Sequence, residues 1–175
     1  MPATAKLSGE RLRERIDAEV PGAVEESGEG WVRVGPEHLV KVMTLLRDDR
    51  VLDGRYLNAL SGVDRYDYFE VVYHVSSLSH NHEMMLRVRA DHDEPEVPSV
   101  SSVWRGAHLQ EREIYDLLGV SFSGHPNLKR MFLWEGFPGH PLRKDFMAMP
   151  GGQRPGLRAF PNEDEETWGG EFRGN

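Results

Sequence analysis

Apolar residues recur every three or four positions in three stretches of the chain, the spacing that predicts amphipathic helices. The stretches run over 8–20, 36–47 and 108–118. Ser8 is a favoured N-cap residue for the first, and Gly119 follows the third as helix C-termini prefer. The apolar positions of the first two stretches are Leu12, Ile16, Val20, Leu39, Val42, Met43 and Leu46.

Alternating apolar and polar residues predict strands in the middle of the chain. Residues 69–75 and 84–90 alternate in this way, and we expect them to pair as a long hairpin. Short runs at 23–26 and 31–34 flank a glycine-bearing turn and predict a smaller hairpin. Residues 56–64 predict one more strand with an irregular end.

The order of these elements predicts an α+β fold, with a mostly antiparallel sheet and helices on one face. An extended C-terminal arm and tail follow the sheet. We expect a domain over residues 1–149 and an extended or partly disordered tail over 150–175, which is rich in Gly, Pro and acidic residues. We also expect a loop at 91–98 and a short helical turn at 100–105.

Composition excludes several classes of function. The 175 residues suit one domain, and a net charge of −8 argues against nucleic-acid binding. No cysteine is present, so the chain has no disulfide, cysteine nucleophile or cysteine-ligated iron–sulfur cluster. No apolar run approaches the roughly 20 residues of a membrane span. The N-terminus lacks an apolar signal core, which favours a cytoplasmic location.

The third predicted helix has a carboxylate at the centre of its apolar stripe. On a helical wheel Ile114, Tyr115 and Leu118 flank Glu111, whereas Arg112, Glu113 and Asp116 point away. A buried carboxylate needs a partner, and the candidate cations are Lys129, Arg130, Arg143 and Lys144. Glu111 is therefore interpreted as a structural ion pair, with a general acid or base as the alternative.

Two repeated triplets, Gly124-His125-Pro126 and Gly139-His140-Pro141, predict bends that redirect the chain. The apolar run 131–134 between them predicts a short buried strand. We expect the two histidines to bond to backbone carbonyl groups, with metal ligation as the minority hypothesis. Loop histidines with neighbouring acids form a second candidate metal site, although solvated side chains are favoured there: His80, His82, Asp91, His92 and Asp93.

The stretch 108–146 resembles the signature of the C subunit of proton-translocating NADH:quinone oxidoreductase, respiratory complex I. The family has phenylalanine more often at the place of Leu118, and residues 132–136 also depart from its usual pattern. These departures change packing and remove no motif residue. The matching residues are Glu111-Arg112-Glu113, Tyr115-Asp116, Gly119, Phe122, Gly124-His125-Pro126, Leu128, Arg130 and the run from Gly139 to Asp145.

The resemblance implies a structural subunit of the peripheral arm of that complex, which supports electron transfer from NADH to quinone without a catalytic centre of its own. FMN, iron–sulfur clusters, NADH and quinone would belong to the complex, and this chain would hold no cofactor. The implied partners are the quinone-side D subunit and the cluster-bearing B and I subunits. The implied location is the cytoplasmic side of the bacterial cell membrane, with membrane association only through the complex.

The same resemblance assigns structural and interface roles to the motif residues. Two alternatives stay open. One is the equivalent subunit of a membrane-bound hydrogenase or another quinone oxidoreductase, and the other is a free-standing histidine-rich metal-binding enzyme. The implied structural and interface residues are Glu111, Arg112, Glu113, Tyr115, Asp116, Gly119, His125, Pro126, Arg130, Gly139, His140, Pro141, Leu142, Arg143, Lys144 and Asp145.

Overall fold

A six-stranded sheet lies at the centre of the computed structural model, which describes residues 4–146. Its main path has the order β2-β3-β6-β5-β4, and β1 also pairs with β6. The strands are β1 (Ala5–Lys6), β2 (Val24–Ser27), β3 (Val32–Val34), β4 (Tyr56–Asp64), β5 (Tyr68–Ser77), β6 (His82–Asp91), β7 (Glu96–Pro98) and β8 (Ser121–Ser123). The helices are α1 (Gly9–Glu19), α2 (Leu39–Asp48), which follows a 3-10 turn at Pro36–His38, and α3 (Ala107–Leu118).

The long hairpin of β5 and β6 is confirmed, and it pairs along its whole length from Tyr68–Asp91 to Ser77–His82. Both predicted hairpins and the β4–β5 pair are antiparallel, whereas β1 and β3 join β6 in parallel. The bulge that interrupts β4 lies between Leu57 and Ala59. The predicted α+β class with a mostly antiparallel sheet is therefore confirmed.

The three predicted helices are present and bury the predicted stripes. Ser8 accepts a hydrogen bond from the Arg11 amide as the N-cap of α1. The four predicted stripe residues of α2 are fully buried, and Gly119 ends α3 in the left-handed conformation. No helix among residues 4–146 is long and apolar enough to cross a membrane.

Two local predictions are wrong. The predicted loop at 91–98 contains β7, which pairs in parallel with β8 in a separate two-stranded sheet. Residues 131–134 form no strand, because three of their amide groups donate to the Asp116 carboxylate. The short helical turn predicted at 100–105 is present, since the Val103 and Trp104 amides both donate to the Val100 carbonyl, at 2.9 and 3.0 Å. The predicted tail over 150–175 lies outside the described residues, so the boundary at residue 149 stays a prediction.

Candidate interface of the C-terminal arm

Residues 124–146, here called the arm, leave β8 and cross the C-terminal end of α3 without forming a helix or strand. Gly124 and Gly139 have φ angles of +78° and +82°, a conformation that favours glycine. Both bends predicted from the repeated triplets therefore exist. Each histidine also makes its predicted backbone contact, since His125 Nε2 lies 3.0 Å from the His108 carbonyl oxygen and His140 Nδ1 lies 2.9 Å from that of Asp116.

The Asp116 carboxylate is the centre of the contact between the arm and α3, and it is fully buried. The Met131, Phe132 and Leu133 amides donate to its Oδ2 at 2.9, 2.8 and 3.0 Å. Arg130 Nη1 donates to Oδ1 at 3.2 Å. Burial by itself would raise the pKa of Asp116, but these donors and the Arg130 charge lower it.

This geometry corrects two predictions. Asp116 faces the arm and does not point away into solvent, because the arm returns over that side of α3. The run 131–134 is curled around one carboxylate oxygen, so its amide groups are not available for a strand ladder. Its apolar side chains project outward as a result, and Phe132 and Trp134 are 61% and 45% exposed.

The arm also bonds to carbonyl groups at the C-terminal end of α3, which have no partner within the helix. The Leu142 amide donates to the Leu117 carbonyl at 3.0 Å, and Arg143 Nε donates to the Leu118 carbonyl at 2.7 Å. A guanidinium at this end also complements the helix dipole. Burial, together with the charges of Arg130 and Arg143, lowers the pKa of His140.

Gly119 allows the arm to approach this closely. A Cβ atom at Gly119 would lie 2.5 Å from His140 Cδ2 and 2.8 Å from Arg143 Nη2. The half-buried Tyr115 ring packs edge-on against the His140 ring at a centroid distance of 6.4 Å. The end of the helix therefore accepts the second triplet only because residue 119 has no side chain.

Arg112 fastens the middle of the arm to α3. Its guanidinium donates to the carbonyl groups of Lys129 and Arg130 at 2.9 and 3.0 Å. Arg130 in turn donates to the Gly139 carbonyl at 3.1 Å, which joins the two bends. Arg112 and Arg130 therefore link separate backbone segments.

Beyond the helix, the arm reaches the β4–β5 turn. The Lys144 amide donates to Asp64 Oδ2 at 2.9 Å, and the Lys144 ammonium lies 4.0 Å from the centre of the Tyr66 ring. The Arg143 guanidinium lies 4.9 Å from the centre of the Phe69 ring. The sequence analysis did not predict Asp64 or the two aromatic rings as contacts of the arm. No local sequence pattern indicates a contact between residues 80 positions apart.

Glu111 is fully buried as predicted, but its predicted partners are wrong. Ser99 Oγ donates to Oε2 at 2.6 Å and the Val100 amide donates to Oε1 at 2.7 Å, while none of the four candidate cations bonds to it. Burial raises the pKa of Glu111 despite these two bonds. The nearest potential cation is His125, whose Nε2 lies 3.9 Å from Oε2.

The outer face of the arm carries large apolar side chains that remain partly exposed to solvent. Met131, Phe132, Trp134 and Leu142 are each between 37% and 61% exposed. The Trp134 ring packs against Phe137 at a centroid distance of 4.7 Å. Large apolar side chains that stay exposed are common at sites where proteins bind partners. Five more of the residues for which the resemblance implied a structural or interface role are exposed or half-buried. They are Glu113, Pro126, Pro141, Lys144 and Asp145.

The loop histidines do not form a metal site in the described part of the chain, which contains no group of three or more suitable ligands. His80 and His82 lie at one end of the β5–β6 hairpin and bond to the carbonyl groups of Arg50 and Leu52. His92 lies at the other end and stacks on Phe69. The expectation of solvated side chains is wrong for His82, which is buried.

The family model of the respiratory-chain NADH dehydrogenase 30 Kd subunit matches residues 32–151. The NADH-quinone oxidoreductase C subunit from Roseiflexus sp. is 43% identical over 139 residues, which are 78% of this chain and 80% of the relative. The C subunit from Xanthobacter autotrophicus is 44% identical over 142 residues, covering 77% and 68% of the two chains.

Two solved structures share the fold. A trypsin-resistant fragment of Nqo5 is 30% identical, with a TM-score of 0.56, and the match covers 68% of this chain and 98% of the fragment. A chain of an archaeal membrane-bound sulfane sulfur reductase is 23% identical, with a TM-score of 0.64 and coverage of 79% and 85%, and it supports the fold alone. The chain therefore belongs to the family of the respiratory-chain NADH dehydrogenase 30 Kd subunit, which is the C-subunit family of NADH-quinone oxidoreductase.

Proposed function

We propose that this chain is a structural subunit in the peripheral arm of proton-translocating NADH:quinone oxidoreductase, and that it has no catalytic centre of its own. It supports electron transfer from NADH to quinone by fixing the positions of neighbouring subunits. The relatives, which are C subunits of NADH-quinone oxidoreductase, support membership of that complex and do not favour a hydrogenase subunit or a free-standing metal enzyme.

The observation that carries this proposal is the division of the arm into two faces. The inner face bonds to α3 through Asp116, Arg112 and Arg143. The outer face presents Phe132 and Leu142 to solvent. An arm that is rigidly held inside and apolar outside is suited to pack against another protein, because its shape is fixed before it binds.

The partners proposed for this surface are the quinone-side D subunit and the cluster-bearing B and I subunits. FMN, the iron–sulfur clusters, NADH and quinone belong to those and other subunits in this proposal. The absence of cysteine supports this, since the chain cannot supply thiolate ligands to a cluster. The proposed location is peripheral, on the cytoplasmic side of the bacterial membrane, with attachment only through the complex.

The motif residues divide between the two faces. Residues that form the contact between α3 and the arm, or the buried core beneath it, set the shape of the arm, and residues on the outside contact the partner. The shape-setting group is Glu111, Arg112, Tyr115, Asp116, Gly119, His125, Arg130, Gly139, His140 and Arg143. The contact group is Glu113, Pro126, Pro141, Leu142, Lys144 and Asp145.

Phe132→Ser tests the interface directly. The side chain is 61% exposed, so we expect the unfolding temperature of the isolated chain to change little, whereas the yield of assembled complex on native gels falls several-fold. Val40→Ser on the exposed side of α2 is the matched control and should assemble normally. Full assembly of the Phe132 variant with slow NADH:quinone turnover would contradict the structural role and favour a catalytic one.

A further inference from the structure

A groove of about 480 Å³ opens on the side of the sheet where β5 turns into β6. Its walls are α1, the segment that follows α2, and the β5–β6 turn. This volume is in the range of sites that hold several side chains or a small ligand. The lining includes Leu7, Arg11, Arg15, Arg50, Val51 and His80.

The groove has an apolar floor, and its rim carries three arginines and one acid: Arg11, Arg15, Arg50 and Glu14. Leu7 and Leu52 are buried in the floor, whereas the Val51 side chain is 56% exposed. Arg15 is neutralised by its ion pair with Asp49. Among the described residues, no hydrogen bond or ion pair engages the guanidinium groups of Arg11 and Arg50, which are both exposed. Arg11 and Arg50 outnumber Glu14, the one acid of the lining, so the rim keeps a positive charge beside the apolar surface.

The shape of the groove is fixed by internal bonds. The Val51 and Leu52 amides donate to Asp49 Oδ1 at 2.8 and 2.9 Å. His80 and His82 each bond through Nε2, at 2.9 Å, to the carbonyl groups of Arg50 and Leu52. The segment 50–52 is therefore tied to the hairpin. A ligand would not have to order it on binding, which favours affinity.

The groove is far from the arm. It lies beside the Ser77–His82 end of the β5–β6 hairpin, whereas the arm contacts the opposite end near Asp64 and Phe69. β5 has 10 residues, which span roughly 30 Å in an extended strand. One flat partner surface at the arm would not extend around the molecule to the groove.

We propose that this groove docks an acidic peptide segment with at least one apolar side chain, and that this segment belongs to a different neighbouring subunit from the one that covers the arm. The carboxylates of that segment pair with Arg11 and Arg50, and its apolar side chain packs on Val51 and Leu52. This inference rests on the proposed function as an assembly subunit. It makes the chain a bridge between two neighbours, held at opposite ends of the sheet.

Site-specific photo-crosslinking in cells that assemble the whole complex tests the bridge. A photoreactive amino acid is placed at Val51 in one strain and at Phe132 in another, and the purified complex is irradiated and mapped by mass spectrometry. Both positions are more than half exposed, so the probe does not disturb the core. We expect the Val51 adduct on an acidic segment of one neighbouring subunit and the Phe132 adduct on a different neighbouring subunit, and both adducts on one subunit would overturn the bridge.

Charge reversal tests the chemistry of the groove. Arg11→Glu combined with Arg50→Glu should lower the yield of the Val51 adduct about tenfold, because like charges then face each other. Arg13→Glu combined with Arg105→Glu is the matched control, since both side chains are exposed and neither lines the groove. An equal loss of adduct in both double variants would overturn recognition by local charge.

The remaining outcomes separate this inference from the proposed function. A Phe132 adduct without a Val51 adduct would overturn the groove proposal and leave the assembly role standing. Absence of both adducts would overturn both. A Val51 adduct on residues 147–175 of the same chain, or on a second copy of the chain, would also overturn the bridge between two subunits.

Discussion

At the scale of single residues, α3 carries two fully buried carboxylates with opposite properties. Glu111 receives two hydrogen bonds and no close charge-balancing arginine or lysine, so burial raises its pKa. Asp116 receives three amide bonds and the Arg130 charge, which together outweigh the effect of burial, so its pKa is lowered. The balance between burial and the donors decides the direction of each shift.

The stability of the Glu111→Gln variant relative to wild type should increase as the pH rises. A carboxyl whose folded pKa lies above its unfolded value gives its full stabilisation below the unfolded value and loses it as pH rises through the folded pKa. Glutamine keeps an acceptor for the Val100 amide and a donor for Ser99, without the buried charge. Urea unfolding from about pH 4 to about pH 8 checks this. A constant difference between wild type and variant would contradict it.

Asp116→Asn should have the opposite dependence and a larger effect. Stability from a carboxyl with a lowered pKa is present above the unfolded value and lost as pH falls, so the variant should be most destabilised near neutral pH. The amide leaves Arg130 without its countercharge, which we expect to cost about 2–4 kcal/mol of unfolding free energy. Asp145→Asn, at an exposed position, is the control and should change stability by less than about 0.5 kcal/mol.

At the scale of elements, the junction of α3 and the arm depends on Gly119. Gly119→Ala adds a methyl group 2.5 Å from His140 and strains a φ angle of +76°. Gly124→Ala has almost the same angle, +78°, with no atom within 4 Å of the new methyl group. Comparing the two variants therefore separates two effects. Gly124→Ala measures the backbone strain alone, about 1–2 kcal/mol, and the further effect of Gly119→Ala measures the displacement of the arm.

We expect Gly124→Ala to lower the unfolding free energy by that strain alone, and Gly119→Ala to lower it further and release the arm. Limited trypsin digestion is the measurement, because Lys129 and Lys144 are exposed arm residues. Faster cleavage in the arm of the Gly119 variant, with the sheet intact, is the expected result. Equal cleavage rates in the two variants would show that the close contact does not hold the arm.

The elements that sequence patterns predicted well are those whose signal is local. The stripe of Leu39, Val42, Met43 and Leu46 and the alternation along β5 and β6 each repeat within one segment. The pairing of β7 with β8 joins two three-residue strands across an intervening helix, so no local repeat marks it. A short apolar run such as 131–134 suits a strand or a wrapped loop equally until the position of Asp116 is known.

At the scale of the candidate site, the sequence predicted the two bends and the histidine contacts better than it predicted the partners of the buried carboxylates. The two bends and the backbone contacts of His125 and His140 follow from the glycine and proline flanking each histidine. The partners of Glu111 and Asp116 depend on which segment crosses which side of α3, and that is a property of the whole fold.

At the scale of the whole molecule, the arm joins α3 to the far end of the sheet through Arg143, which bonds to the Leu118 carbonyl and lies over the Phe69 ring. Arg143→Ala removes both contacts, so we expect a lower yield of assembled peripheral arm on native gels. Arg105→Ala, at an exposed position outside the arm, is the control. Normal assembly with impaired turnover would assign Arg143 a direct part in the redox reaction.

The way in which Asp116 holds residues 131–133 has a consequence for divergence among relatives. Asp116 grips main-chain amides, which every residue except proline possesses, so the identity of the outward side chains is irrelevant to the fold. Substitutions at 131–134 can therefore accumulate in step with a changing neighbour while the loop keeps its path. The outward side chains can therefore change together with the surface of a partner protein without affecting how this loop folds.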